Sequence, residues 1–248
     1  MNSPAVKALY VFFGKRFREK RAAALKKEFT NCQSVLDVGG GVGWWLSTNW
    51  RPSRLVLLNN EPFQGRAVPG AEHLEADALD MPLPDQSFDL AMSNSVIEHV
   101  SDHAKFAAEL MRTGKRIYCQ TPSKWFPVEP HCLGLFVHWL PRRCFTYFVY
   151  RYLTLYGWIG KPDRAQFEEF QKEVHLLGKS ELAQLFPGCT IHTERFCGLP
   201  KSYVVTSSPI QSVVEENSSW TVYDYLISGV ILGLAVGATY CFFAVVFG

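Results

Sequence analysis

Short apolar runs alternate with amphipathic stretches through the middle of the chain. Ser34–Gly39 (SVLDVG), Leu55–Asn59 (LVLLN), Phe88–Asn94 (FDLAMSN) and Arg116–Gln120 (RIYCQ) are continuously apolar rather than alternating. That is the pattern of strands covered on both faces. His73–Ala78 is a weaker candidate of the same kind, and Asp102–Arg112 and Lys179–Phe186 carry helical spacing. Near the end, Thr190–Phe196 and Tyr203–Ser207 read as paired strands joined through Gly198-Leu199-Pro200. The alternation predicts an α/β domain, with a parallel sheet and crossover helices.

The two ends break this rhythm. From Tyr225 to Gly248 no residue is charged, and Trp220, Tyr223 and Tyr225 stand at the start of the run. A helix of about 20 apolar residues spans a bilayer core of ~30 Å. The run therefore predicts a single C-terminal transmembrane helix over 223–248, tethered by 209–222. Gly229, Gly233 and Gly237 recur every four residues, a stripe suited to close helix–helix approach. The rival reading is a buried helix of the soluble fold. At the other end, Met1–Glu28 holds eight Lys and Arg against two Glu, with Val6, Leu9, Tyr10, Phe13 and Phe17 at helical spacing. This basic amphipathic helix could lie on an anionic membrane or simply cap the domain.

Composition narrows the classes. A chain of 248 residues with 48% apolar content can bury a sizeable core. Its 25 Lys and Arg against 23 Asp and Glu do not mark a nucleic-acid binder. The seven cysteines are scattered and form no C-x-x-C pair, so neither a metal site nor a dithiol redox motif is expected. Scattered thiols suit a reducing compartment.

The informative stretch is Val35-Leu36-Asp37-Val38-Gly39-Gly40-Gly41-Val42-Gly43, a strand running into glycines and then a helix start. Such a loop brings backbone close to a ligand. A dinucleotide fingerprint would need a third glycine where Trp44 stands. The spacing G-x-G-x-G, with an acid two residues earlier, is met by Asp37, Gly39, Gly41 and Gly43.

With Asp77-Ala78-Leu79-Asp80-Met81-Pro82-Leu83-Pro84-Asp85-Gln86-Ser87-Phe88-Asp89 and Ser93-Asn94-Ser95-Val96-Ile97-Glu98-His99, this set resembles the class I S-adenosylmethionine-dependent methyltransferases of the UbiE-like, methyltransferase 11 type. The resemblance implies a Rossmann-like seven-stranded mixed sheet, here with a helical cap insertion and the tail helix. It also implies S-adenosylmethionine as cofactor. By position, Asp37 would orient the methionine amino group. Gly39, Gly40, Gly41 and Gly43 would let that moiety pass. Asp77, with Ala78 beside it, would meet the adenine, and Ser93 and Asn94 would border the methyl group. The family's ribose-binding acid has no direct counterpart: Asn59 holds the position and Glu61 the chemistry.

The domain boundaries that follow are residues 1–28 for the basic helix, 29–208 for the methyltransferase domain with a cap over about 124–176, and then linker and tail. The segment Thr121-Pro122-Ser123-Lys124-Trp125-Phe126-Pro127-Val128-Glu129-Pro130-His131 frames a carboxylate and an imidazole with prolines. His131 is the candidate general base and Glu129 its orienter, or both tie down the loop. Residues 132–160 are rich in aromatics, with Arg142, Arg143 and Arg151 interspersed. They read as a lid for a lipid-like acceptor or as a self-contained helical cap. The expectation is a membrane-held, tail-anchored enzyme facing the cytosol, methylating a small lipid-like or lipid-linked acceptor. The alternatives are a catalytically silent, membrane-anchored binding or assembly factor, a nicotinamide-dependent oxidoreductase, and a soluble enzyme whose tail packs on its own fold or on a partner.

Overall fold

Strands buried on both faces have no polar side to show, and four such strands set the frame of this protein. A computed structural model of the chain describes residues 19, 21–48, 50–63, 67–207 and 233. They divide into two units, one of residues 19–123 with 175–207, the other of residues 124–174.

The larger unit holds a seven-stranded mixed sheet in the order β3-β2-β1-β4-β5-β9-β8. Its strands are β1 (Ser34–Val38), β2 (Arg54–Asn59), β3 (Ala71–Glu75), β4 (Phe88–Asn94), β5 (Gly114–Pro122), β8 (Thr190–Phe196) and β9 (Leu199–Thr206). Strands β1 to β5 run parallel, and β9 turns antiparallel between β5 and β8. The helices are α1 (residues 21–29), α2 (Val42–Ser47), α3 (His103–Thr113) and α7 (Lys179–Leu185). The chain leaves β3 on one side of β1 and returns as β4 on the other. The sheet order therefore reverses between β1 and β4, and such reversals open ligand crevices at the carboxyl ends of strands.

Two apolar layers sandwich the sheet. Leu36, Val38, Phe88, Ala91, Ile117 and Cys119 face α3 and α7 through Phe106, Leu110, Leu182 and Phe186. Val35, Leu57, Leu90, Met92 and Tyr118 face α1 through Leu25 and Phe29, and α2 through Trp45. Each fully buried side chain of this size contributes about 1.5–3 kcal/mol.

The predicted strands 1, 2, 4 and 5 stand where the apolar runs placed them. The third lies earlier, at Ala71–Glu75 rather than His73–Ala78, because Asp77 starts a turn. Its Oδ1 accepts from Leu79 N at 2.9 Å, and its carbonyl accepts from Asp80 N at 3.0 Å. The last hairpin turns at Cys197 (φ 48°) and Gly198 (φ 77°) alone, so Leu199 and Pro200 belong to β9. Two-residue turns with positive φ match the twist of antiparallel strands.

The smaller unit pairs β6 (Val128–Glu129) with β7 (Gly134–Leu135) and adds α4 (Tyr147–Tyr152), α5 (Leu155–Gly160) and α6 (Arg164–Glu173). Its core is aromatic: Tyr150, Tyr156 and Phe167 are buried with Cys132 and Val137. Phe170 stacks on Tyr150 at 4.9 Å between ring centroids. A capping box starts α6, with Asp163 and Gln166 bonding each other's backbone N–H.

The expectation of a fold ending in a transmembrane helix, and of location through that single tail anchor, is corrected. No helix among the described residues is long and apolar enough to cross a membrane. The longest described helix, α3, has 11 residues. At 1.5 Å per residue it spans roughly half the ~30 Å bilayer core. The predicted span 223–248 lies outside the described residues except for Gly233, as do linker 209–222, Gly229 and Gly237. The apolar positions 6, 9, 10, 13 and 17 of the basic N-terminal segment also lie outside them. Its described end, α1, buries Leu25 and Phe29 in the sheet's core, with Arg116 over the Phe29 ring at 4.4 Å.

Candidate functional site

The carboxyl ends of β1, β2 and β4 lie side by side, with Val38 in register with both Leu58 and Ser93. The candidate residues of the glycine loop, Asn59, Ser93 and Asn94 therefore meet at one edge of the sheet. Gly39 leaves β1 with φ 74°, a conformation that side chains resist, and a Cβ there would sit 2.4 Å from Val96 Cγ2. A Cβ on Gly40 would sit 2.3 Å from Asp37 Oδ2. Gly41 and Gly43 differ: a Cβ on either would meet nothing within 4 Å. Packing inside the protein thus requires the first two glycines and leaves open space at the other two.

Asp37 lies directly beneath this loop and is buried. Trp45 Nε1 donates to its Oδ2 at 2.6 Å. Burial raises the carboxyl to about 7, against the opposing pull of the Trp45 hydrogen bond. Trp45 is fully buried and sits between two other indoles, Trp44 at 4.7 Å and Trp50 at 5.4 Å. Arg51 gathers the carbonyls of Trp45, Thr48 and Trp50 with one guanidinium nitrogen at 3.1, 2.6 and 2.7 Å. That cation holds the last turn of the short α2, where carbonyls lack helical partners.

At the end of β2, Asn59 is half-buried and donates its amide to Gly40 O at 3.3 Å. Glu61 is exposed in the following loop. Asp77 is exposed with one carboxylate oxygen in its turn, and Ala78 is half-buried beside it. Ser93 is fully buried and donates to Val38 O at 3.1 Å, which ties β4 to β1. Asn94 ends β4 with Oδ1 buried and without a hydrogen-bond partner among the described residues. The remaining acids of the same motif are structural. Asp85 pairs with Arg112 at 2.7 Å, and that guanidinium also holds the carbonyls of Met81 and Leu83. Asp89 accepts from Gln33 N and Ser34 N at 3.0 Å each. Lys115, then the Ser34 and Gln33 donors, hold its carboxyl at about 2.

Beyond Asn94 the edge continues as a polar network that the sequence did not suggest. Gln120 on β5 is buried, and its Oε1 accepts from Arg21 at 2.9 Å and from Ser95 Oγ at 3.1 Å. Arg21, from α1, pairs with Glu194 at 2.8 Å, and Ser202 also donates to that carboxylate. Burial pushes Glu194 up, but the charges of Arg21 and Lys201 outweigh it and hold the group well below its ordinary value.

The other two candidates belong to the smaller unit. Glu129 is buried, with Oε1 2.6 Å from His131 Nδ1 and Oε2 accepting from Cys132 N at 2.6 Å. Burial raises this carboxyl, but the His131 charge and the hydrogen bonds from His131 and Cys132 outweigh burial and leave it lowered. Nδ1 beside a carboxylate keeps its proton, so Glu129 sets the orientation of the His131 ring. His138 Nε2 donates to Lys124 O at 3.0 Å, and burial lowers its pKa. In the larger unit His99 is exposed in a short turn after β4.

Residues 36–116 match the family described as methyltransferase domain. That third of the chain is similar to a methyltransferase domain. Among curated proteins it is similar to the ajmaline N-methyltransferase of Rauvolfia serpentina, 36% identical over 92 residues, which are 32% of each chain. It is also similar to an uncharacterised methyltransferase of Mycobacterium sp. strain KMS, 32% identical over 85 residues, 32% of this chain and 34% of that one. The chain thus spans about a third of the length of these curated relatives. Among solved structures, the complex between the Haloferax volcanii Trm112 methyltransferase activator and a methyltransferase matches with TM-score 0.50 and 12% identity. That match covers 83% of this chain and 97% of that one, and it shows the fold.

The residues present fit the cofactor of this domain class. The open space at Gly41 and Gly43 leaves room for a ligand against the backbone. Asp37 offers a carboxylate to an ammonium, and the unpartnered Asn94 Oδ1 offers an acceptor at the same edge.

Proposed function

We propose that this protein is an S-adenosylmethionine-dependent methyltransferase whose acceptor is a small, lipid-like or lipid-linked molecule. The observation that carries the first half is the glycine loop at the sheet reversal, open at Gly41 and Gly43 and floored by Asp37. The cofactor, when bound, supplies an electrophilic methyl on a sulfonium. Asp37 would hold its ammonium, and backbone N–H groups of the loop its carboxylate. Asp77 and Ala78 would meet the adenine, Asn59 or Glu61 the ribose, and Ser93 and Asn94 would border the methyl. Of the two ribose candidates, Asn59 has the better place, since it stands at the strand end beside Gly40.

His131 is the proposed base, and Glu129, bonded to its Nδ1, would orient the ring for that role. The relative from Rauvolfia is named for methylation at nitrogen, which makes nitrogen the first acceptor atom to test. The lipid-like character of the acceptor is supported by residues 124–174. Trp125, Phe136, Trp139, Phe148, Tyr152 and Trp158 are exposed there, and residues 130–162 contain no Asp or Glu.

A second reading is a catalytically silent domain that binds or assembles other molecules. It is favoured by Asn59, an uncharged group where the family places a ribose-binding carboxylate. Transfer of labelled methyl from S-adenosylmethionine into a total cell extract tests both. Label in the organic phase supports the proposal, and label confined to aqueous metabolites rejects the lipid-like acceptor. No transfer at all supports the silent reading.

A further inference from the structure

The carboxylate beneath the glycine loop does not stand alone. We infer that Trp45 is a positioning residue for cofactor binding, holding Asp37 through its indole N–H so that the carboxylate meets the ligand's ammonium in one fixed orientation. This role rests on the cofactor reading above and deepens it.

The geometry leaves Asp37 little freedom. Oδ2 lies 2.6 Å from Trp45 Nε1 and against the Cα of Gly40, where even a methyl group would not fit. Among the described residues Trp45 is the donor to this carboxylate, which has no further side-chain or backbone donor. In register with Asp37 stand Leu57 on β2 and Met92 on β4, both uncharged. No charged side chain contributes to its titration. One neutral N–H thus does the work that a cation does elsewhere in the protein. The indole is itself immobile, being fully buried between Trp44 and Trp50 on a helix whose end Arg51 clamps.

A consequence follows for pH. A cationic ligand selects the ionised acid, so its affinity falls as Asp37 takes up a proton. The Trp45 hydrogen bond favours the ionised form, and its removal moves the titration upward.

The test is calorimetric titration with S-adenosylhomocysteine from about pH 5.5 to about pH 8.5, on the full chain. In the wild type, affinity falls below a midpoint near 7. In Trp45→Phe the midpoint rises by about one pH unit, so affinity at neutral pH drops up to ~10-fold while alkaline affinity approaches that of the wild type. Carboxyl carbon NMR of the ligand-free protein shows the same upward move of Asp37. Asp37→Asn, which keeps the indole packing, binds weakly with no such midpoint. Should Trp45→Phe not fold, Asp37→Asn decides: a pH dependence equal to that of the wild type overturns the inference. An unmoved midpoint in Trp45→Phe, with affinity lowered equally at every pH, reduces Trp45 to packing and overturns this role alone. Absence of binding in the wild type overturns the cofactor reading and this role with it.

Discussion

The glycine-loop edge of the sheet and the 128–135 hairpin each bury a carboxylate, and the two acids titrate in opposite directions. Asp37 has one neutral donor, Trp45, and is raised to about 7. Glu129 has an imidazole and a backbone N–H, one on each oxygen, and is lowered despite equal burial. Burial alone disfavours charge in both. The difference shows that the partner set, not depth, decides whether a buried acid is ionised. It also separates two tasks. An acid near neutrality with one oxygen engaged suits a transient cationic ligand. An acid saturated by its own protein suits the permanent job of fixing a histidine tautomer.

The sharpest way to break this contrast is at Gly40. Gly40→Ala puts a methyl on Asp37 Oδ2 and should cut S-adenosylhomocysteine affinity at least ~100-fold, whereas Gly41→Ala, with free space, should leave melting temperature unchanged and cost about 10-fold. Equal effects of the two would contradict the packing account.

Asp37→Asn comes next, and its two effects have opposite signs. A group raised in the folded state contributes stability that is present below its unfolded value near 4 and lost as pH rises through about 7. The variant should therefore be more stable than wild type at alkaline pH, by ~2 kcal/mol. Urea unfolding across pH reads this out, and a variant that is less stable above pH 7 would oppose it.

Glu129→Gln sharpens the other side. It leaves one acceptor oxygen for two donors, the Cys132 N–H and His131, and should cost about 1–3 kcal/mol. The lowered carboxyl contributes stability above its unfolded value that is lost on acidification. The cost should accordingly shrink toward acid pH, as urea midpoints would show.

The smallest effects concern the ribose. Asn59→Asp should tighten S-adenosylhomocysteine binding by ~5-fold, and Glu61→Gln should leave it unchanged. The reverse pattern would move the ribose contact to Glu61.

Much of the sheet was legible because strands buried on both faces need mostly apolar residues, as in Leu55–Leu58 and, but for Asp37, Val35–Val38. The third strand was misplaced because an edge strand such as AEHLE is half exposed and carries no such run. The glycines and Asp37 were legible from spacing. Trp45 was not, since nothing in a sequence says that an indole eight residues on will reach a carboxylate. The pair of tryptophans directly after the loop was the available signal. Arg21 and Gln120 were hidden for the same reason: they are 99 residues apart and meet only through the fold. The tail's transmembrane assignment does not stand, since no helix among the described residues is long and apolar enough to cross a membrane.

The most direct measurement is titration of the full-length wild type and of Asp37→Asn with S-adenosylhomocysteine at about pH 8, where Asp37 is largely ionised. The account predicts one-to-one binding by the wild type, weakened ~100-fold or lost in the variant. Silence from the wild type, or equal affinity in both proteins, would contradict it.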